Sequence, residues 1–337
     1  MMKPGTQYTS IGGQAVIEGV MMRSPHFIAV AVRKHNQKII IKYFPYLSIA
    51  ERFHFLKKPV LRGVVLLLES MVQGVDALSY SANVASVDDK HEEPLSFWAI
   101  LISIATALVM GIGLFVALPH FLSAIMVSAQ NPWFHLIDGT LKMIILLTYV
   151  VLIAMMKDIH RVFQYHGAEH KSIYTFEAGQ DLIVENARKH STLHPRCGTS
   201  FLLFLVLISV AVFSIVFPLF GLTQLSPIPF VNHLLMVLMK VALMLPVAGL
   251  AYEFIKMCAF RMDNPVFRML IWPGMVLQRL TTREPTDGQL EIALASLRQV
   301  LKLEKEPASN NEKQEHEFLG LSEIAWVHTQ VAEFPEV

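Results

Sequence analysis

Four long apolar runs constrain the fold of this 337-residue chain more than any motif does. An α-helix needs about 20 predominantly apolar residues to cross the hydrocarbon core of a bilayer. The runs lie at residues 95–118, 136–156, 200–222 and 234–252. Apolar residues make up 53% of the chain and charged residues only 16%, which is typical of a membrane protein. The sequence therefore predicts a mainly α, polytopic membrane protein with four transmembrane helices.

The distribution of lysine and arginine predicts the orientation of these helices. Eleven of the 28 basic residues lie in residues 1–94, six in 157–199 and nine after residue 252, whereas the connections 119–135 and 223–233 contain none. Because basic loops stay in the cytoplasm, we expect a multi-pass protein with cytoplasmic N- and C-termini. The net charge of +1 gives no electrostatic support for nucleic-acid binding, so the lipid bilayer is the expected partner.

Composition divides the rest of the chain into short units. The β-branched runs "FIAVAV" and "KIIIKYF", joined by "RKHNQ", predict strands in a small N-terminal β unit. The predicted units are a cytoplasmic β-rich N-terminal unit (1–58), an amphipathic helix with a charged linker (59–94), the first transmembrane hairpin (95–156), a cytoplasmic loop rich in histidine and cysteine (157–199), the second hairpin (200–252), a cytoplasmic C-terminal helical region (253–303) and an acidic, partly disordered tail (304–337).

Two cytoplasmic segments carry the periodicity of amphipathic helices. The helix expected at 59–80 has an apolar face and either lies in the membrane interface or caps the bundle from inside. In the C-terminal region, Thr286 and Gln289 have the spacing of a capping box, which predicts a helix start.

The stretch "YHGAEHKSIYTFEAG" contains His166, Glu169 and His170 in the order H-x-x-E-H. Residues four apart share one face of a helix, so the two imidazoles can bind one metal ion. Glu169 lies beside the second ligand, where a carboxylate can act as a general base on water. The order is that of inverted zinc peptidases. The alternative is a polar helix end at the membrane surface.

Further ligands are expected on the same side of the membrane. "HPRCGTSF" places His194 and Cys197 just before the third span, and Glu253 ends the fourth span. Histidine and cysteine are the preferred ligands of zinc, so a divalent metal, with zinc favoured, is the predicted cofactor. The alternatives are a buried thiol at Cys197, and for Glu253 an ion pair with Lys256 or Arg261.

Two lysines lie inside predicted spans. Lys142 is one turn from Asp138, so a local ion pair is the simplest interpretation. Lys240 has no obvious neighbour in the sequence, and a charge within the membrane is a functional indication by default.

Five motifs, in order, resemble a family of bacterial membrane proteins grouped as "domain of unknown function 1385". They are "GGQAVIEGVMMRSP", "RGVVLLLESMVQG", "YHGAEHKSIYTFEAG", "HPRCGTSF" and "WPGMVLQRLTTREPTDGQLEIA". The resemblance covers about residues 10–300. It implies a predicted metal-dependent enzyme of the bacterial cytoplasmic (inner) membrane, with no agreed substrate. The family pattern marks His166, Glu169, His170, His194 and Cys197.

The leading functional hypothesis is a membrane metal-dependent hydrolase. His166 and His170 would bind the ion, His194, Cys197 or Glu253 would complete its shell, and Glu169 would be the general base. A site at the cytoplasmic leaflet favours a lipid-linked or membrane-peptide substrate. The alternatives are a non-enzymatic assembly factor, scaffold or small transporter, and a purely structural ion held by four protein ligands.

Overall fold

The computed structural model describes residues 10–86, 97–306 and 313–325. In this part of the chain the strands are β1 Gly12–Val16, β2 Gly19–Arg23, β3 Phe27–Arg33, β4 Ile39–Pro45 and β5 Gln314–Phe318. The helices are α1 Ile49–Arg52, α2 Leu61–Ser86, α3 Phe97–Ile112, α4 Leu118–Met126, α5 Phe134–Ala154, α6 Lys157–Glu177, α7 Val184–Ala187, α8 Gly198–Leu219, α9 Pro229–Ala259, α10 Pro265–Thr281 and α11 Asp287–Lys305. The predicted fold class, mainly helical with four candidate spans and a small N-terminal sheet, is confirmed.

The sheet is an antiparallel meander in the order β1-β2-β3-β4-β5. Because successive side chains of a strand point to opposite faces, strands β1 to β4 contribute to two separate cores. On β3, Ala29 and Ala31 face a core shared with α6 and α11, whereas Ile28, Val30 and Val32 face α2. Helix α6, which carries the H-x-x-E-H motif, is thereby fixed against the sheet.

Strand β5 comes from the tail that was predicted to be partly disordered. It pairs with β4 in the register Ile39 to Phe318 and Tyr43 to Gln314. Its sequence, "QEHEF", is mostly exposed, so it has no strong apolar pattern. Pairing covers the open edge of β4, which would otherwise present unpaired backbone groups.

Helix α2 connects the sheet to the membrane bundle. Its C-terminal part packs on the sheet through Ala77 and Tyr80. Its N-terminal part packs on α9, where a Cβ atom at Gly63 would lie 2.8 Å from Tyr252 Cβ. Glycine at position 63 therefore permits the close approach of the two helices.

Four helical segments are long and apolar enough to cross a membrane. They are Leu101–Met126, Phe134–Ala154, Gly198–Leu219 and Pro229–Ala259. The first extends beyond the predicted end at residue 118, and residues 95 and 96 of the predicted span lie outside the described residues. A π-helical turn, Gly113–Ala117, precedes α4. Pro119 therefore occupies one of the first positions of α4, where a helix tolerates proline, and the helical segment extends to Met126.

The C-terminal helical region places α10 beside the bundle and α11 against the sheet. Gly274 of α10 packs on Ser200 and Phe204 of α8. Val266 and Met269 are exposed on its other face, which is typical of a helix in the membrane interface. The predicted capping box is present at the start of α11. The side chain of each of Thr286 and Gln289 accepts a hydrogen bond from the backbone N–H of the other.

Candidate metal centre

Helix α6 presents both histidines of the H-x-x-E-H motif on one face. Its sheet-facing positions, Tyr165, Ala168 and Ile173, are buried in the core with α11. His166 and His170 follow one turn apart, with ring centroids 4.5 Å from each other. The burial of the sheet-facing side chains therefore sets the direction in which both imidazoles point.

Cys197 brings a sulfur atom to the same place from the start of α8. It is the N-cap residue of that helix, and its side chain accepts a hydrogen bond from the backbone N–H of Thr199. Its Sγ atom lies 3.1 Å from His166 Nε2. One ligand atom from each of His166, His170 and Cys197 lies within 4.8 Å of the others. The structure thus brings together three of the expected metal ligands.

Backbone carbonyl groups fix the orientation of both imidazole rings. His166 Nδ1 lies 2.8 Å from the carbonyl oxygen of Thr281, and His170 Nδ1 lies 2.5 Å from that of Thr192. A carbonyl oxygen only accepts, so each Nδ1 carries the proton. In the neutral rings Nε2 is then left with a lone pair that faces the cluster. Ligating histidines are commonly held in this way.

The cluster favours the thiolate form of Cys197. Burial alone would raise the pKa of this thiol, but the charges of His166 and His170 and their hydrogen bonds hold the pKa well below its usual range. For His166, burial opposes the charged form, yet the thiolate raises its pKa to about 9. Without a metal the pair is therefore a thiolate and an imidazolium, and a bound ion would displace the imidazolium proton.

Glu169 lies at the edge of this cluster. Its carboxylate oxygen is 4.0 Å from His166 Nε2, and the residue is 6% exposed. Burial raises the pKa of its carboxyl group. A Cβ atom at Gly13 of β1 would lie 2.7 Å from Glu169 Cγ, so only glycine leaves room for this side chain. Within the described residues its carboxylate accepts no hydrogen bond, which leaves both oxygens available to a ligand.

His194 lies beside the three-residue cluster but is engaged elsewhere. Its ring centroid is 5.6 Å from that of His170. Its Nε2 lies 3.3 Å from Glu177 Oε2, and its Nδ1 accepts a hydrogen bond from the backbone of Arg196. Burial lowers the pKa of His194 to about 4, so the ring is neutral. The structure therefore places His194 next to the expected ligands without directing it at their centre.

Glu253 does not join the cluster. The Arg62 guanidinium donates two hydrogen bonds to it, at 2.7 and 2.6 Å, and the backbone N–H of Val60 donates a third at 3.3 Å. Glu253, which was expected as a metal ligand, thus joins α2 to α9 through an ion pair. An ion pair was the alternative expected from the sequence, but with Lys256 or Arg261 as the partner and not with Arg62.

A cavity of about 650 Å³ opens beside the cluster, between the sheet and the bundle. Its walls come from β1, the middle of α2, α6, the start of α8 and Tyr252 of α9. Polar and charged groups on the wall include Ser70, Gln73, Arg23, Glu169 and Arg196. A ligand in this cavity would contact the cluster of His166, His170 and Cys197, as well as Glu169 and apolar side chains, at the same time.

Sequence comparison relates this architecture to known proteins. Residues 58–303 match the family described as "Protein of unknown function (DUF1385)". The chain belongs to this family. A relative, "Uncharacterized protein YqhQ" of Bacillus subtilis (strain 168), is 33% identical over 327 residues, which is 90% of this chain and 96% of the relative. The resemblance stated from the motifs is therefore confirmed, and no solved structure matches.

Several groups of this DUF1385 site lack a local sequence signal. The carbonyl groups of Thr192 and Thr281 act through the backbone, which the side-chain identity does not reveal. Gln278 bonds both backbone groups of His194 and the hydroxyl of Ser200, and so fixes the segment before Cys197. The "GG" at the start of β1 is visible in the sequence as a place where another group can approach the backbone closely. Only the packing shows that the approaching group is the side chain of Glu169.

Proposed function

We propose that this DUF1385 protein is a metal-dependent hydrolase of the bacterial inner membrane, with its site at the cytoplasmic face. The supporting observation is that His166, His170 and Cys197 offer three ligand atoms within 4.8 Å of one another. Both histidines also have their Nδ1 atoms held by carbonyl groups, as metal-binding histidines do.

The ligand set favours zinc. One thiolate and two imidazoles are borderline-soft donors that suit zinc, and harder ions prefer oxygen ligands. Three protein ligands with one position open are typical of a catalytic site, whereas a structural site has four. His194 is held by Glu177, which supports the catalytic alternative over the structural one.

Glu169 is the proposed general base. A bound ion would supply the chemistry that lowers the pKa of water and polarises a carbonyl or phosphoryl oxygen. Glu169 would take the proton of the attacking water, because its carboxylate borders the cluster and accepts no hydrogen bond from the described residues. Burial raises the pKa of this carboxyl group, and a general base is more effective when its pKa is closer to neutrality.

The position of the cavity supports a membrane-associated substrate. Tyr252 of the fourth span and Leu66 of α2 contribute to its wall beside Glu169. A lipid-linked molecule or a membrane peptide can enter such a cavity from the bilayer surface with its scissile bond near the cluster. The apolar wall would hold the membrane-embedded part.

Metal analysis of detergent-purified protein tests this proposal. We expect about one zinc per chain in the wild type. His166→Ala, His170→Ala and Cys197→Ala should each remove most of it. His160→Ala and His190→Ala are matched controls on the same side of the bundle, because His160 is exposed and His190 bonds Gln180 instead of the cluster.

The same variants, expressed in a strain that lacks the endogenous gene, report the functional role. Loss of function with loss of metal in the three cluster variants, and retention of both in the controls, is the expected pattern. Folded wild-type protein that contains far less than one metal ion per chain would contradict the proposal.

A thiol-dependent mechanism is a second candidate, because His166 Nε2 lies 3.1 Å from a Cys197 sulfur whose pKa is strongly lowered. A thiolate at a helix start beside an imidazolium is the form of an activated nucleophile. In this alternative, chelators leave function intact and alkylation of Cys197 abolishes it. The metal-dependent mechanism predicts sensitivity to both treatments.

A further inference from the structure

A second cluster of ionisable groups lies inside the membrane bundle, away from the metal centre. It contains Asp138 and Lys142 of α5 and Lys240 of α9, whose side chains are 2%, 2% and 0% exposed. Asp138 lies one turn from the start of α5, and the metal-binding helix α6 follows the other end of α5. The proposed hydrolytic chemistry does not use any of these groups.

The charges in this cluster do not balance when all three groups are ionised. Lys240 Nζ lies 2.8 Å and Lys142 Nζ 3.4 Å from the same atom, Asp138 Oδ2. One carboxylate neutralises only one of the two ammonium groups, so the cluster carries a net charge of +1. An unbalanced charge is costly in a low-dielectric interior, and loss of one proton from a lysine makes the cluster neutral.

A chain of hydrogen bonds leads from Lys240 towards the membrane surface. Lys240 Nζ is 3.0 Å from His120 Nδ1, and His120 Nε2 is 3.2 Å from His233 Nδ1. An ammonium group only donates, so His120 Nδ1 accepts and the proton of this ring is on Nε2. His120 then donates to His233, whose own proton is on Nε2. All three donors therefore point in the same direction along the chain.

The chain of hydrogen bonds reaches solvent at the His233 end, and apolar side chains close it at the Lys142 end. His120 is buried, whereas His233, one turn from the start of α9, is only partly buried. Beyond Lys142, the buried side chains of α5 are Leu146 and Val150, which are apolar. Access is therefore from the membrane end opposite to the metal centre.

The surroundings of the cluster add one more titratable group. On α5, His135 is buried near Asp138, with both ring nitrogens lacking a hydrogen-bond partner among the described residues. Helix α8 packs against α5 and contains no ionisable residue, and its Phe213 ring lies 5.7 Å from Lys142 Nζ and 6.0 Å from Lys240 Nζ. Aromatic faces stabilise a buried cation without fixing its proton.

We propose that Asp138, Lys142, Lys240, His120 and His233 form an intramembrane site that binds and releases one proton. On release, an N–H bond of Lys240 breaks as one forms at His120 Nδ1. The His120 Nε2–H bond breaks as one forms at His233 Nδ1, and His233 Nε2 gives its proton to water. Lys240 becomes a neutral amine, both imidazoles remain neutral, and the cluster charge falls from +1 to 0. Uptake follows the reverse path.

Proton counting in lipid nanodiscs tests this site. The protein is mixed, in weak buffer with a pH-sensitive dye, from about pH 6 to about pH 10. This range ends below the ordinary lysine pKa of about 10.4, so exposed lysines keep most of their protons. We expect Lys240→Met to release one proton fewer per chain than the wild type. His120→Phe should release the same number as the wild type, but roughly tenfold or more slowly, because transfer then requires local opening of the bundle.

His233→Ala provides a milder interruption of the same path, since a partly exposed ring can be truncated without leaving a buried cavity. It should also slow the release from Lys240. His160→Ala, at an exposed position on α6, is the matched control and should keep the wild-type rate and number. Equal proton numbers for the wild type and Lys240→Met, or a wild-type rate in folded His233→Ala, would overturn the inference. Neither result bears on the metal centre.

Discussion

His166 Nε2 of α6 lies 3.1 Å from Cys197 Sγ at the start of α8, although the residues are separated by 31 positions. Their contact joins the helix that packs on the sheet to a helix that crosses the membrane. The candidate metal centre is therefore located at the junction of the two parts of the protein, and a change at His166 or Cys197 is expected to affect the position of both helices.

The acidity of Cys197 is the first testable property. In metal-free protein that carries Cys258→Ala, we expect iodoacetamide to react with Cys197 with a pH midpoint below the ordinary thiol value of about 8.5, because the imidazolium of His166 stabilises the thiolate. His166→Gln should move the midpoint upward. An ordinary midpoint in both proteins would show that the pair does not form.

The contact between β1 and Glu169 predicts that alanine destabilises the protein at Gly13 but not at the adjacent Gly12. Gly13→Ala should lower the free energy of unfolding by about 1–3 kcal/mol, because the new methyl group overlaps the Glu169 side chain and Met22. Gly12→Ala is the matched control, since no atom lies within 4 Å of a Cβ there. Denaturant unfolding in detergent measures both. Equal effects of the two substitutions would exclude the close packing at Gly13.

Glu169→Gln separates the role of the carboxylate from its contribution to stability. Burial raises the pKa of the Glu169 carboxyl, so the folded state prefers the neutral form, and the stability of the wild type decreases as the pH rises through that pKa. The amide has no charge to bury. We therefore expect Glu169→Gln to unfold at the same or higher denaturant concentration, to retain its metal and to lose function in a complementation assay. Retention of function would remove Glu169 as general base.

The Arg62–Glu253 ion pair should stabilise the packing of α2 on α9 and should not affect metal binding. The pair is bidentate but partly exposed, with side-chain exposures of 33% and 22%, so we expect a coupling free energy of about 1 kcal/mol in a double-mutant cycle. The metal content of Glu253→Gln should equal that of the wild type, in contrast to His170→Ala. A loss of metal in Glu253→Gln would restore Glu253 as a ligand.

The extent of helices and strands was largely determined by local patterns. The apolar runs predicted four spans because a helix in lipid must satisfy its backbone internally and cover itself with apolar side chains. The spacing of Thr286 and Gln289 predicted the start of α11, and the β-branched runs predicted β3 and β4. These features depend on residues close in sequence, which is why they are visible without a fold.

The first span shows where local patterns are insufficient. The predicted span ended at residue 118, where the apolar run is followed by Pro119, which lacks a backbone N–H. The π-helical turn that precedes it changes the backbone path, so the helix continues to Met126. Strand β5 was missed for a similar reason, because its mostly exposed residues pair through the backbone and carry little apolar signal.

By itself the sequence determined the membrane class and the one-turn spacing of His166 and His170, because helix periodicity alone places residues four apart on the same face. Only the tertiary structure decided that Cys197 meets them, that His194 bonds Glu177 and that Glu253 binds Arg62. The same holds for Lys240, whose partners Asp138 and His120 are 102 and 120 positions away. Such contacts depend on how whole helices pack, and packing is set by buried surfaces that are remote from each other in the chain.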